Sequence, residues 1–450
     1  MRILIAGAGI GGLSAALGPH DAGFEDLVVA EAAPALRPLG AGLNLLPNAV
    51  RELAALGLYR EVAAVSVPVR ELVYCTHRGA VVWREPRGQA AGHRRPQLSV
   101  HRGRLQEVLA DAVRRRLGPD AVLTDSRLAS FTETAGGRLS VLLEHPAAGT
   151  SDTLDADVLV GADGIRSAVR RLLYPEEGSP ACDGTVVWRG TPRSEPFLTG
   201  CSMVVMGDGL RKVVAYPLPG PGPDGRVLIN WAASRAPADG EPVDRTDWNR
   251  PVPREKFLSH FAGRRYGDLS IEDLLEGDGP VVEFPLLDRD PLPRWSFGRT
   301  TLLGDAAHAM APMGSNATTR SVVDARAPAY ALARHDDPAG ALAAYERDRR
   351  PAMTRLQLAS RAKGPEVVID LACARPGRFR PRPRRHLPCG AHRGVPALRA
   401  CRRLPAGDRE RPLALRRAAG PADGPAGRWP DHDRMTAGVP ASRSRIDTAS

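Results

Sequence analysis

Apolar positions follow two rhythms along the chain. Residues 2–6 and 27–30 are aliphatic runs bounded by turn residues, which predicts two short buried strands with a helix between them. Leu46, Val50, Leu53 and Leu56 recur at helical spacing within 46–65. Leu105, Val108, Leu109, Val113 and Leu117 do so within 103–117, each set marking one apolar helix face. Residues 157–161 read as another buried strand. Between 176 and 279 the rhythm changes to period two, in the runs 185–188, 203–206, 212–216 and 227–231 separated by Pro and Gly clusters, which predicts antiparallel strands and hairpins. A buried strand returns at 300–303, followed by helical composition to about residue 363. No internal repeat is visible.

These elements predict an α/β fold: a discontinuous Rossmann-like domain (1–175 and 280–371), an inserted, mainly antiparallel sheet domain (176–279) and a long C-terminal helical region. The 450 residues exceed the usual size of one core, in line with two domains. From 372 onward the pattern breaks. Residues 372–450 hold 18 Arg, no Lys, six acidic residues and 11 Pro, with no period of 2 or 3.6, and are expected to be irregular or disordered. The formal net charge of +11 therefore belongs to this tail, because the remaining 44 basic and 45 acidic residues nearly cancel. No apolar run is long enough for a membrane span. The chain starts directly in a strand, and its six cysteines show no close pairing before the tail. A cytoplasmic protein with free thiols is the expectation.

Three motifs carry chemistry. The first is Gly7, Ala8, Gly9, Ile10, Gly11, Gly12, between a strand and an Ala-rich helix. Gly7 permits the tight turn, Gly9 lets backbone approach a pyrophosphate, Gly12 allows close helix–strand packing, and phosphates sit at the helix N-terminus. Glu31 ends the second strand 19 residues beyond Gly12, where a carboxylate accepts hydrogen bonds from a ribose diol. This motif alone leaves NAD open as the dinucleotide. The second is Asp163-Gly164 at a strand end, followed by Arg166 and Arg170. There the Asp bonds a hydroxyl or braces a loop, and the arginines offer charge to phosphate. The third runs from Gly304 and Asp305 through His308 and Pro312 to Gly314, Ser315 and Asn316, a strand end and a turn that open a helix. His308 is a candidate base or, alternatively, a structural hydrogen-bond partner.

Three motifs in this order and spacing resemble those of the para-hydroxybenzoate hydroxylase-like class A flavin monooxygenases, over roughly residues 1–371. The segment 37–42 with Asn44, Pro47 and Asn48, and the run His101-Arg102 to Leu105, are also similar to that family. Trp188-Arg189-Gly190, the Gly314–Asn316 turn and the run 323–326 are closest to its phenazine hydroxylase-like branch. The resemblance implies FAD, with Gly7, Gly9 and Gly12 at its pyrophosphate and Glu31 at the adenosine ribose. Arg102 would lie near the phosphate or ribityl chain, and Asp305 would hold the ribityl hydroxyls. Asp163 and Gly164 would serve both FAD and the nicotinamide. Pro312, Gly314, Ser315 and Asn316 would line the isoalloxazine. NADH or NADPH, as a transient co-substrate, would reduce the flavin, O2 would add at its C4a carbon, and one oxygen would pass to an electron-rich aromatic or heteroaromatic ring. The 176–279 sheet would wall the substrate pocket, with Trp188, Met203, Tyr216 and Phe284 as lining candidates, core packing being the alternative for each.

The sequence also departs from that family. Pro19 and Pro328 fall inside otherwise good helices, where a proline costs about 3 kcal/mol or more, and both helices are expected to kink. Arg320 stands where a Gln is usual. The resemblance stops near residue 372, and the Lys-free Arg/Pro/Gly composition beyond it is what a shifted reading frame of a GC-rich gene gives. Alternative readings are an inactive, destabilised frameshifted member, or a nucleic-acid-binding protein acting through its basic tail. The latter is disfavoured because evolved basic arms mix in Lys. A flavin-dependent halogenase is disfavoured by the absence of a Trp-x-Trp-x-Ile-Pro signature, whereas a reductase or epoxidase on the same fold stays open.

Overall fold

The computed structural model describes residues 1–37, 40–220, 224–238, 241 and 249–374. A six-stranded sheet forms one half of the molecule. Ile3–Ala6 lies at its centre between Leu27–Ala30 and Val158–Gly161, both parallel to it. Thr300–Leu302 and Val122–Leu123 extend it in parallel on either side, and Ser296–Phe297 closes one edge antiparallel. All four residues of Ile3–Ala6 and of Val158–Gly161 are buried, as two-sided coverage by helices requires. The helices Ile10–Asp21, Arg102–Leu117, Ala317–Leu332 and Pro338–Arg361 supply much of that cover.

A nine-stranded sheet forms the other half. Its order is Arg250–Pro251, Val282–Asp288, Ala181–Gly190, Val227–Arg235, Arg211–Leu218, Ser202–Gly207, Glu71–Thr76 and Val81–Pro86, with Arg193–Ser194 pairing Val227–Arg235 at one side. It is antiparallel except where Ser202–Gly207 runs parallel to Glu71–Thr76. The sheet is thus wider than the period-two segment 176–279, taking strands from 71–86 and 282–288 as well. One face carries a separate core around Trp188, Trp231, Phe257 and Phe261, with Trp188 stacked on Phe257 at 5.2 Å between ring centroids. The opposite face turns toward the parallel-sheet half.

Several local expectations change. The helical pattern 46–65 is two helices, Pro47–Ala55 and Tyr59–Ala64, because Gly57 takes a φ of +75° between them. The stretch 127–156 forms a three-stranded antiparallel sheet, Arg127–Glu133, Leu139–His145 and Thr150–Ala156, for which no strands were expected. Pro19 and Pro328 both lie inside helices that continue through them, Ile10–Asp21 and Ala317–Leu332. These two helices pack closely through Gly18, where a Cβ would stand 3.1 Å from the Ala325 carbonyl oxygen and 3.3 Å from the Ala329 methyl. A third interior proline, Pro351, sits in Pro338–Arg361. The last helix, Val367–Ala374, carries ordered structure past 372, with Ile369 and Ala372 packed against the sheet through Leu72, Tyr74 and Val205. The expectations for the rest of the tail lie outside the described residues. Among the described residues no helix is long and apolar enough to cross a membrane.

Candidate functional site

A single cavity of about 1500 Å3 lies between the two halves and runs from the Gly7–Gly12 turn to the face of the nine-stranded sheet. That exceeds the roughly 300–1,000 Å3 of a pocket for one drug-sized molecule, and leaves room for a dinucleotide beside a ring compound.

At its first end the wall is largely backbone. Gly7 has a φ of +100°, and a Cβ there would lie 2.7 Å from the Ala162 carbonyl oxygen, so the turn and the second motif touch only because this residue has no side chain. Gly9 has nothing within 4 Å of its Cβ position and faces the cavity, leaving its backbone open to a ligand. Gly12 does not line the cavity. A Cβ there would fall 1.9 Å from the Gly7 carbonyl oxygen, so its part is packing the helix against the turn. Glu31 borders the cavity, and its carboxylate accepts from the Ala8 N–H at 2.7 Å and the Ala33 N–H at 2.9 Å. Gln106, which sequence reasoning missed, donates to the Ala8 carbonyl at 2.7 Å and holds the same turn from the other side. Arg102 is exposed on the cavity wall at the start of its helix.

The second motif is braced more than it is open. Asp163 Oδ1 accepts from the Ser167 hydroxyl, and Oδ2 accepts from the Ala168 N–H at 2.7 Å and the Val169 N–H at 3.2 Å. Burial raises its carboxyl above the ordinary range, partly offset by the Ser167 bond. Gly164, with φ +81°, leaves open space beside it on the cavity wall. Arg170 is not available to a phosphate. It is buried, ion-paired with Glu177, and donates to the Ala306 carbonyl at 3.0 Å and the Ala307 carbonyl at 3.3 Å. It therefore ties the second motif to the third. Arg166 is exposed and lines the cavity.

In the third motif, Asp305 is exposed to the cavity directly after Gly304, whose φ of +61° turns the chain off its strand. Pro312, Ser315 and Asn316 also line it, and Gly314 stands just behind them. Gly314 and Ser315 both take positive φ, +69° and +60°, so the turn bends through two left-handed residues before the helix Ala317–Leu332 begins. That helix directs its N-terminus, through Ala317 and Thr318, into the cavity, where its free N–H groups favour negative charge. Asn316 Oδ1 is buried beside it without a hydrogen-bond partner.

His308 is off the cavity wall. It is fully buried, with Nε2 2.7 Å from Asp324 Oδ2, while Asp324 Oδ1 accepts from Arg349 Nε at 2.7 Å. Burial pushes the Asp324 carboxyl up, but the Arg349 charge and the His308 contact outweigh it and hold the carboxyl below the ordinary value of 3.8. This chain of three pins the third motif to two helices. It matches the structural alternative for His308 and corrects the candidate base.

On the sheet floor, strand alternation sends Met203, Lys212, Val214, Tyr216, Asn230 and Ala232 into the cavity. Trp188 is corrected: it points to the opposite face, where its indole N–H donates to Glu283 at 2.7 Å. Its neighbour Arg189 takes the cavity side instead. Phe284 is not on the cavity wall either, but lies under the Arg189 guanidinium, 4.8 Å from its ring centroid. Arg189, Lys212 and Asn230 were not singled out, although the polar Asn230 inside an apolar alternating run was a signal. Lys212 is ion-paired with Glu366 from the segment leading into the last helix.

Residues 1–183 and 288–360 match the model of a family described as an FAD binding domain. The chain is 42% identical to phenazine 1,6-dicarboxylic acid hydroxylase of Lysobacter antibioticus, over 80% of this chain and 89% of that one. It belongs to the class A FAD-dependent aromatic monooxygenases. A 3-hydroxybenzoate 6-hydroxylase of Aquipseudomonas alcaligenes is 31% identical over 80% of this chain and 88% of its own. Among solved structures, a salicylate hydroxylase substrate complex aligns with a TM-score of 0.66 at 26% identity, covering 84% of this chain and 91% of that one. Klebsiella pneumoniae HpxO complexed with FAD and uric acid aligns with a TM-score of 0.67, also at 26% identity, covering 81% and 87%. The residues present fit FAD: a glycine turn whose backbone opens on the cavity, a carboxylate at the second strand end, an unpartnered Asn316 oxygen and a helix N-terminus at the far side.

Proposed function

We propose that this monooxygenase hydroxylates an aromatic or heteroaromatic substrate lying between the third motif and the floor of the nine-stranded sheet. The observation that carries the reading is the continuity of one cavity from the glycine turn to that floor. Gly7 and Gly9 would receive the FAD pyrophosphate on open backbone, with Gly12 packing the turn, and Glu31 would meet the adenosine ribose. Arg102 would neutralise phosphate or border the ribityl chain, and Asp305 would accept from ribityl hydroxyls. Asp163 and Gly164 would keep the second loop in register beside both FAD and the nicotinamide. Pro312, Gly314, Ser315 and Asn316 would border the ring, where the helix N-terminus favours negative charge. Bound FAD, reduced by NADH or NADPH, supplies the activation of O2 for transfer to the substrate ring. The sheet floor, with Met203 and Tyr216, would orient that ring and exclude water. The division into a discontinuous FAD-binding unit, 1–175 with 280–371, and a substrate unit around 176–279 belongs to the same proposal.

The test is NAD(P)H oxidation by the FAD-loaded chain with a panel of phenazine and benzoate acids under isotopically labelled O2. The reading expects a product carrying one labelled oxygen. Products without label, or oxidation that no aromatic compound stimulates, contradict it.

A further inference from the structure

Three stretches far apart in sequence meet at Lys212. The residue lies on the cavity side of the strand Arg211–Leu218. Its ammonium pairs with the Glu366 carboxylate and also donates to Met313 Sδ at 3.7 Å. Glu366 is buried, and the Lys212 side chain is only 17% exposed. Met313 opens the turn Met313–Ser315, which leads into the helix Ala317–Leu332. The segment before Glu366 touches the same turn twice more. A Cβ on Gly364 would stand 3.3 Å from Met313 Cβ, and one on Gly314 would stand 3.5 Å from Pro365 Cγ. Lys363 and Gly364 both take positive φ, +64° and +48°, where the chain leaves the helix Pro338–Arg361. Lys363 in turn pairs with Asp370 at 2.6 Å and donates to the Gly209 carbonyl at 3.4 Å, next to the strand that carries Lys212.

Stability alone does not call for an ion pair here. A buried Lys–Glu pair regains little more than its desolvation costs, and an apolar pair of similar volume would serve as well. What such a pair fixes is which groups meet. The turn beside it needs fixing, because Ser315 takes a φ of +60° without being a glycine, a conformation that persists where its surroundings hold it. We propose that Lys212 and Glu366 are positioning residues of the flavin site. The pair clamps the substrate sheet and the segment 363–366 onto the turn Met313–Ser315, and so sets where that turn stands against the flavin ring. This rests on the reading that FAD binds with its ring beside Pro312, Gly314, Ser315 and Asn316.

The experiment uses the full-length, FAD-loaded protein and reads the shape of the visible flavin bands and the quenching of flavin fluorescence by acrylamide. Lys212→Met and Glu366→Gln, taken singly, are expected to shift the bands in the same way and to leave the ring more open to acrylamide. The exchange Lys212→Glu with Glu366→Lys is expected to restore both readouts, because it rebuilds the pair in reverse. Each single variant leaves one charge buried alone, which destabilises the fold. The neutral double variant, Lys212→Met with Glu366→Gln, leaves none. It is expected to unfold at the wild-type urea concentration, to retain FAD, and still to show the shifted bands and the stronger quenching. Wild-type bands and quenching in the neutral double variant would overturn the proposal. So would its loss of FAD, since a positioning role leaves the glycine turn to hold the cofactor. An exchange variant that folds yet keeps the shifted bands would also overturn it, because the Lys212 charge would then act on flavin or substrate directly. Flavin content separates this from the underlying reading. A wild-type protein that takes up no FAD contradicts the cofactor assignment, whereas a flavin-loaded protein whose bands ignore the pair contradicts the clamp.

Discussion

At the glycine-turn end of the cavity the chain presents backbone, and on the sheet floor it presents side chains. The turn works because Gly7 and Gly12 have no Cβ, with atoms at 2.7 Å and 1.9 Å from where one would be. The floor works because Tyr216, Asn230 and Arg189 come from strands far apart in sequence that share one face. A turn of that kind tolerates almost no other residue, so it is written as a short motif. A floor position tolerates many residues, and its chemistry follows from which face it occupies. Between the two ends lies a junction, where Arg170 ties the second motif to the third and the His308–Asp324–Arg349 chain pins the third motif to two helices.

That contrast yields a series of substitutions. The largest effect is expected at the junction. Asp324→Asn leaves Arg349 buried without its counter-charge and should cost about 3–5 kcal/mol in urea unfolding. Because the folded Asp324 carboxyl lies below its ordinary 3.8, its stabilisation is present above that pH and is lost as pH falls through the folded value. The variant should therefore lose less stability than wild type on acidification below pH about 3.8, and parallel acid curves would contradict the linkage. Pro328→Ala restores a helical N–H and should raise stability by up to about 3 kcal/mol, seen as a higher melting temperature. An unchanged or lower one would mean that the packing around Pro328 has adapted to the ring. Gly12→Val drives a side chain into the Gly7 carbonyl and should cost about 1–3 kcal/mol while abolishing FAD retention on a desalting column. Retention of flavin by this variant would break the account of the turn. Tyr216→Phe, on the floor, removes one buried hydroxyl from the cavity wall and should cost only about 1 kcal/mol while leaving FAD content unchanged. Loss of flavin there would mean that the two ends are not separable.

The legible parts of the sequence are those where local chemistry leaves little choice. The strand–turn–helix at 3–21, Glu31 on the adjoining strand end and Asp305 at another strand end all lie where the motifs put them, on the cavity wall. Gly57 should have been read as a break, since a positive φ between two apolar helical runs is a common use of glycine. The sheet at 127–156 was also within reach, because Leu139, Val141 and Leu143 alternate buried with less buried neighbours. The floor was not. Trp188 and Arg189 are adjacent, and which one sees the cavity depends on strand parity that pairing partners set from a distance. Aromatic character favoured Trp188, but the opposite face has a core of its own around Phe257 and Phe261 that takes it. His308 was equally ambiguous, because the partner that makes it structural, Asp324, lies 16 residues on in a helix whose docking the local sequence does not reveal.

The most direct test of the account is the visible spectrum of the chain purified without added flavin, followed by denaturation and identification of the released chromophore. The account predicts a two-band flavin spectrum and release of FAD. A folded, colourless protein that takes up no FAD when it is supplied would contradict it.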